Sequence, residues 1–91
     1  MVSRERLTIE VYRDILRASH HLRKLGKATL HSVGYEANLP NKRLKERVTE
    51  LLAMGLLDSG WAVSQKGYQF CDDYKRNVDP FLRKYGLNDR D

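Results

Sequence analysis

Apolar side chains recur along this chain with helical spacing. At about 100° per residue, Ile9, Tyr12, Ile15, Leu16, Ser19 and Leu22 fall on one face, and Glu10, Arg13, Arg17, His21 and Lys24 on the other. The pattern predicts a helix from about Thr8 to Leu22, with Gly26 as its stop. Lys27 to Thr29 reads as a short strand. A second helix, roughly Leu30 to Glu36, turns Leu30, Val33 and Ala37 or Tyr35 inward. Gly34 lies inside it at a cost of about 1 kcal/mol relative to alanine, so either the helix is short or something packs close there. In the junction Ala37-Asn38-Leu39-Pro40, Asn38 suits an irregular turn and Leu39 plugs the core. Pro40 fits the first turn of a helix, where its missing N–H matters little. The third helix runs from about Pro40 to Met54, with Leu44, Val48, Leu51 and Leu52 on one face and Gly55 as its stop.

After Gly55 the period changes. Leu56-Leu57, the turn residues Asp58-Ser59-Gly60, and Trp61 and Val63 on one strand face predict a small β-hairpin. Trp61 there suits core packing. Ser64 is an N-cap for a fourth helix striped by Phe70, Cys71, Tyr74 and Val78. Asp79-Pro80 is a stop and restart, followed by a turn or two of helix over Phe81 to Tyr85 and a frayed tail. The expected fold is mainly α with a small β-hairpin: a winged helix-turn-helix plus a C-terminal helix. One domain spans residues 1–91, with a core over about 7–64 and a helical extension over about 65–86.

Composition narrows the function classes. Ninety-one residues fit one small domain, and 41% hydrophobic with 32% charged residues suits a folded, soluble chain. No apolar run reaches membrane-span length, and Met1 to Leu7 lacks the apolar stretch of a signal peptide, so a cytoplasmic location is expected. The single cysteine, Cys71, forms no internal disulfide. Net charge is +5, and residues 1–27 hold seven Lys/Arg against three Asp/Glu. Residues 28–57 hold four against three, and residues 58–91 six of each. The excess therefore lies in the first helix and the loop after it. It fits a polyanionic partner or an ordinary solvated helix surface.

The segment "YEANLPNKRLKERVTELLAMGLL", followed by "AVSQKGYQFCDDY", resembles small archaeal winged-helix proteins of the 10a chromatin type and related regulators. The matching positions are Tyr35, Ala37, Asn38, Leu39, Leu44, Leu51, Gly55, Leu56, Leu57, Val63, Ser64, Lys66 and Gly67, and the likeness covers about residues 7 to 75. It implies binding of double-stranded DNA, usually as a homodimer, with the third helix addressed to the DNA. The chain departs from the family at three places. Leu30-His31-Ser32 replaces a basic lead-in, the wing is a bare Asp58-Ser59-Gly60, and Asp79-Pro80 shortens the long terminal helix.

A helix in the major groove reads base edges with its N-terminal residues. The candidate DNA-binding residues are therefore Asn41, Lys42, Arg43, Lys45, Arg47 and Thr49, since Lys and Arg bond guanine or phosphate and Asn pairs with adenine. Glu46 and Glu50 oppose this, and a Lys42–Glu46 pair on a solvated face is the plain alternative. Arg13, Arg17, Arg23, Lys24 and Lys27 are candidate phosphate contacts, or else cations compensating a helix C-terminus. Tyr74, Val78, Phe81, Leu82 and Tyr85 are candidates for a dimer interface. His20, His21, His31 and Cys71 lack metal-ligand spacing, and no phosphate loop or nucleophile–base signature occurs. The expectation is a non-enzyme without cofactor, metal or evident small-molecule ligand: a nucleoid-associated transcription regulator or minor chromatin protein. The alternative is an interaction adaptor in a larger complex.

Overall fold

In the computed structural model, which describes residues 6–86, each helix begins and ends where local chemistry satisfies its terminal backbone groups. α1 (Thr8–Lys24) opens with the Glu10 carboxylate accepting the Leu7 N–H at 2.8 Å. It closes at Gly26, whose φ of 70° lets the Lys27 N–H reach the Leu22 carbonyl at 2.8 Å, the closure of a Schellman turn. α2 (Leu30–Ala37) is capped by reciprocal bonds between Thr29 and Ser32 and ends on Asn38, which is left-handed at φ 58°. α3 (Asn41–Ala53) starts after Pro40 and stops at Gly55, and α4 (Gln65–Asp73) is capped by the Ser64 hydroxyl, which accepts the Gly67 N–H at 3.0 Å.

α1 is the axis of the fold. Its Ile15, Leu16 and Leu22 meet Val33 and Ala37 of α2, Leu44 and Leu51 of α3, and Leu39, Leu56 and Leu57 from the connections. α2 crosses α3 at Gly34, where a Cβ would lie 3.1 Å from Leu44 Cδ2. That helix is both short and closely packed. α4 runs antiparallel to α1, with Tyr68 beside His20 and Tyr74 under Arg13.

Three sequence expectations need correction. The hairpin wing is not present, and the fold is helical without strand or sheet among the described residues. One antiparallel bridge, Leu57 to Val63, closes the loop instead. The Asp58 carboxylate accepts the Gly60 and Ala62 N–H groups, both at 2.9 Å, and Trp61 adopts φ 67°. The intervening residues coil, and Ser64 caps α4 at once, leaving no room for a ladder. Lys27 to Thr29 is not a strand, because Lys27 belongs to the end of α1 and Thr29 to the cap of α2.

Asp79-Pro80 does not stop the fourth helix. A π-helical turn (Tyr74–Val78) carries α4 directly into α5 (Asp79–Lys84). In a regular helix the Pro80 ring would press on the carbonyl four residues back. The wider turn ahead of it relieves that contact, and the Asp79 N–H bonds the Tyr74 carbonyl.

Candidate nucleic-acid interface

The junction between α2 and α3 sets the candidate surface. Leu39 is buried as a plug, and the left-handed Asn38 redirects the chain so that Asn41 emerges beside Tyr35. Tyr35 is 86% exposed while Ala37 is buried; of the two inward options in the sequence, only Ala37 points in. A shallow groove runs past Leu30, His31 and Tyr35 to Asn41.

Asn41, Lys42, Arg43 and Lys45 are all exposed on the first turns of α3. Among the described residues none of these three cations is ion-paired, and the Lys42–Glu46 pair is not formed. Among the described residues the α3 N-terminus has no side-chain cap, which leaves its first amides and the positive end of its dipole open.

Further along α3 the arrangement differs. Glu50 accepts a hydrogen bond from the Tyr12 hydroxyl at 2.7 Å and pairs with Arg47 at 3.2 Å. That bond to Glu50, followed by burial, pushes the Tyr12 phenol above its ordinary range. Glu50 is thus tied back toward α1 and takes Arg47 with it, while Glu46 stays exposed. The Thr49 hydroxyl donates to the Lys45 carbonyl at 2.8 Å. Of the six DNA-binding candidates, the first four by position form an open edge; Arg47 and Thr49 are engaged within the domain.

The phosphate candidates divide. Arg13 bonds Asp14 at 2.9 Å and lies 4.6 Å over the Tyr74 ring. Arg17 faces the cleft between α1 and the C-terminal helical run. Arg23 donates to the Gly60 carbonyl at 3.3 Å and holds the turn before α4. Lys24 and Lys27 are exposed at the end of α1.

The dimer candidates divide as well. Tyr74 and Leu82 are buried within the chain and Val78 is half-buried, while Phe81 and Tyr85 stand 56% and 57% exposed with ring centroids 4.9 Å apart. Along the same run Asp72 pairs with Arg76 and Asp79 with Arg83, both at 3.3 Å.

Two structural roles escaped the sequence pattern. Arg6 reaches across to the end of α2, bonding Asp14 at 2.8 Å and the Ala37 and Asn38 carbonyls at 2.9 Å each. A cation on a helix C-terminus is favourable, but no local motif announces one that comes from so far away in sequence. Glu10, on the polar face by periodicity, is 1% exposed. The signal for it was its place three residues after Leu7, where it closes a helix start.

His20 and His21 serve different contacts, His20 with Tyr68 and His21 with Glu36. Among the described residues no three His, Cys, Asp or Glu side chains gather as metal ligands, and no helix is long and apolar enough to cross a membrane. Compared with known proteins, the chain matches no family model, no curated protein and no solved structure.

Proposed function

We propose that this chain binds double-stranded DNA through the first turns of α3 and acts as a transcription regulator or minor chromatin protein of the nucleoid. The observation that carries the reading is the open cationic edge of Lys42, Arg43 and Lys45 beside Asn41 on an uncapped helix N-terminus. In this arrangement α3 enters the major groove. Asn41 and Lys42 meet base edges, and Arg43 and Lys45 meet phosphates. α2 crosses the backbone with the Tyr35 hydroxyl toward it, and Lys24 and Lys27 add flanking charge. A second copy of the chain, joined through Phe81 and Tyr85, would place two such helices on one duplex.

The test is a salt-dependent titration of duplex DNA with the full chain and with Lys42→Ala/Lys45→Ala. Log affinity falls with log salt by about 0.9 per phosphate contact on B-form DNA. With Lys45 on a phosphate and Lys42 on a base edge, the double variant is expected to bind more weakly with a slope shallower by about 1, and to keep its thermal midpoint because both side chains are exposed. The adaptor reading draws on the exposed Glu46 and the groove beside Tyr35. It requires the opposite result, no salt-dependent binding by either protein.

A further inference from the structure

α3 carries two arginines one turn apart, Arg43 and Arg47, so both side chains start from the same flank of the helix. Their surroundings differ. Arg43 is exposed and, among the described residues, has no ion pair. Arg47 is half-buried, and its guanidinium lies 3.2 Å from one carboxylate oxygen of Glu50. The other oxygen of Glu50 accepts the Tyr12 hydroxyl at 2.7 Å. An exposed ion pair alone is weak, worth at most about a fivefold change in an equilibrium constant. Here the carboxylate is also fixed from across the fold. A hydrogen bond to an ionised group is the stronger kind, and the Tyr12 ring is itself seated edge-on against Phe70 of α4, with centroids 6.4 Å apart. Glu50 therefore has a set position, and Arg47 is drawn to it instead of standing out from the helix as Arg43 does.

We propose that Glu50, positioned by Tyr12, withholds Arg47 from DNA and so confines phosphate contact on α3 to its first turns. The inference rests on the DNA reading and deepens it. A phosphate contact adds affinity for every sequence and favours none. Arg43 and Arg47 together on the backbone would raise this sequence-independent part of binding, while the base contacts of Asn41 and Lys42 stayed the same. Glu50 is thus a specificity-determining residue that itself touches no DNA. Glu46 is the contrast. It is exposed, has no ion pair among the described residues, and acts only through its own charge.

The test is a double-mutant cycle on the salt dependence of binding to random duplex, with the native chain, Arg47→Gln, Glu50→Gln and the two combined. Glu50→Gln is expected to bind more tightly, with a slope steeper by about 0.9, the increment for one phosphate contact on B-form DNA. Arg47→Gln alone is expected to keep the native slope, because Arg47 has no contact to lose and Tyr12 still holds Glu50. The combined variant is expected to return to the native slope. Simple removal of charge would instead give opposite and additive changes, shallower for Arg47→Gln and steeper for Glu50→Gln. That additivity would overturn the proposal. The Tyr12–Glu50 contact is checked without DNA. The hydrogen bond to Glu50 is the main cause that pushes the Tyr12 phenol up, so Glu50→Gln is expected to bring it back toward its ordinary range in an NMR titration of the ring. An unchanged Tyr12 titration would mean that Glu50 is not held there in solution, and would overturn the proposal too. Loss of salt-dependent binding in the native chain itself would remove the DNA reading and this inference with it, whereas native binding with additive slopes removes this inference alone.

Discussion

Ser19 lies in the middle of α1, fully buried, and among the described residues its hydroxyl has no hydrogen-bond partner. A buried polar atom left unpaired costs roughly 1–3 kcal/mol, and alanine is also the better helix former. Ser19→Ala is therefore expected to raise stability by about 1 kcal/mol, read as a higher urea midpoint at unchanged slope. A lower midpoint would mean that the hydroxyl has a partner in solution. Tyr74 offers a pH test. Burial, opposed in part by Arg13, pushes its phenol up from 10.0 to about 12. The folded state holds the proton more tightly than the unfolded one. That contribution is complete below pH 10 and is lost as pH rises from 10 toward 12. At about 1.4 kcal/mol per unit it amounts to roughly 2–3 kcal/mol. The stability of wild type relative to Tyr74→Phe is expected to fall by that order over this interval, and a constant difference would show that Tyr74 titrates normally. At this scale the sequence was partly legible. The stripe through Ile15, Leu16, Ser19 and Leu22 is buried, but Glu10 and Ala18 are buried too, Glu10 beside the C-terminal helical run and Ala18 beside the end of α2. A helical wheel drawn for one buried face cannot foresee a helix enclosed on two.

At the level of elements, helix ends were readable and the connection after α3 was not. Gly26, Gly55, Asn38 and Ser64 all sit where their backbone or side-chain chemistry suggested, since caps are local. The hairpin misreading came from giving Asp58-Ser59-Gly60 a turn with strands on either side. The same Asp58 side chain winds the residues after it, and α4 begins too soon for pairing. Gly67 shows what holds α4 in place. A Cβ there would strike the Leu56 carbonyl and lie 2.7 Å from Val63 Cγ1, so the first turn of α4 rests directly on the bridge that closes the loop. Alanine normally stabilises a helix interior relative to glycine by about 1 kcal/mol. Here overpacking against backbone dominates, at roughly 1–3 kcal/mol. Gly67→Ala is expected to lower the denaturation midpoint, with the near-ultraviolet signal of Trp61 altered. A rise would mean that α4 can move away from the bridge freely. Pro80 carries the same lesson in reverse: a stop signal in sequence became a π turn because Tyr74 and Leu82 on either side of it are both buried within the chain.

For the whole molecule, the charge bias was legible but its placement was not. The α1 cations that looked like phosphate ligands by sequence are partly absorbed by tertiary contacts, Arg13 by Asp14 and Tyr74, and Arg23 by the loop before α4. The edge on α3 is open: among the described residues Pro40 to Arg43 and Lys45 are all exposed. The apolar surface follows a similar division. Leu82 is turned inward, and the Phe81 and Tyr85 rings stay outside as an adjoining pair. Exposed aromatic clusters of this kind commonly mark interfaces, and a two-fold axis through α5 would present two copies of α3 to one duplex, where paired recognition helices sit about 34 Å or a multiple apart. The proposed homodimer therefore centres on Phe81 and Tyr85 alone of the five interface candidates. In sedimentation equilibrium the full chain is expected to run as a dimer at tens of micromolar, and Phe81→Ser/Tyr85→Ser as a monomer with unchanged helical circular dichroism. A monomer mass for the native chain would remove the dimer altogether. A dimer mass for the double variant would move the interface off α5, to the exposed Leu25, Leu52 or Met54 elsewhere on the surface.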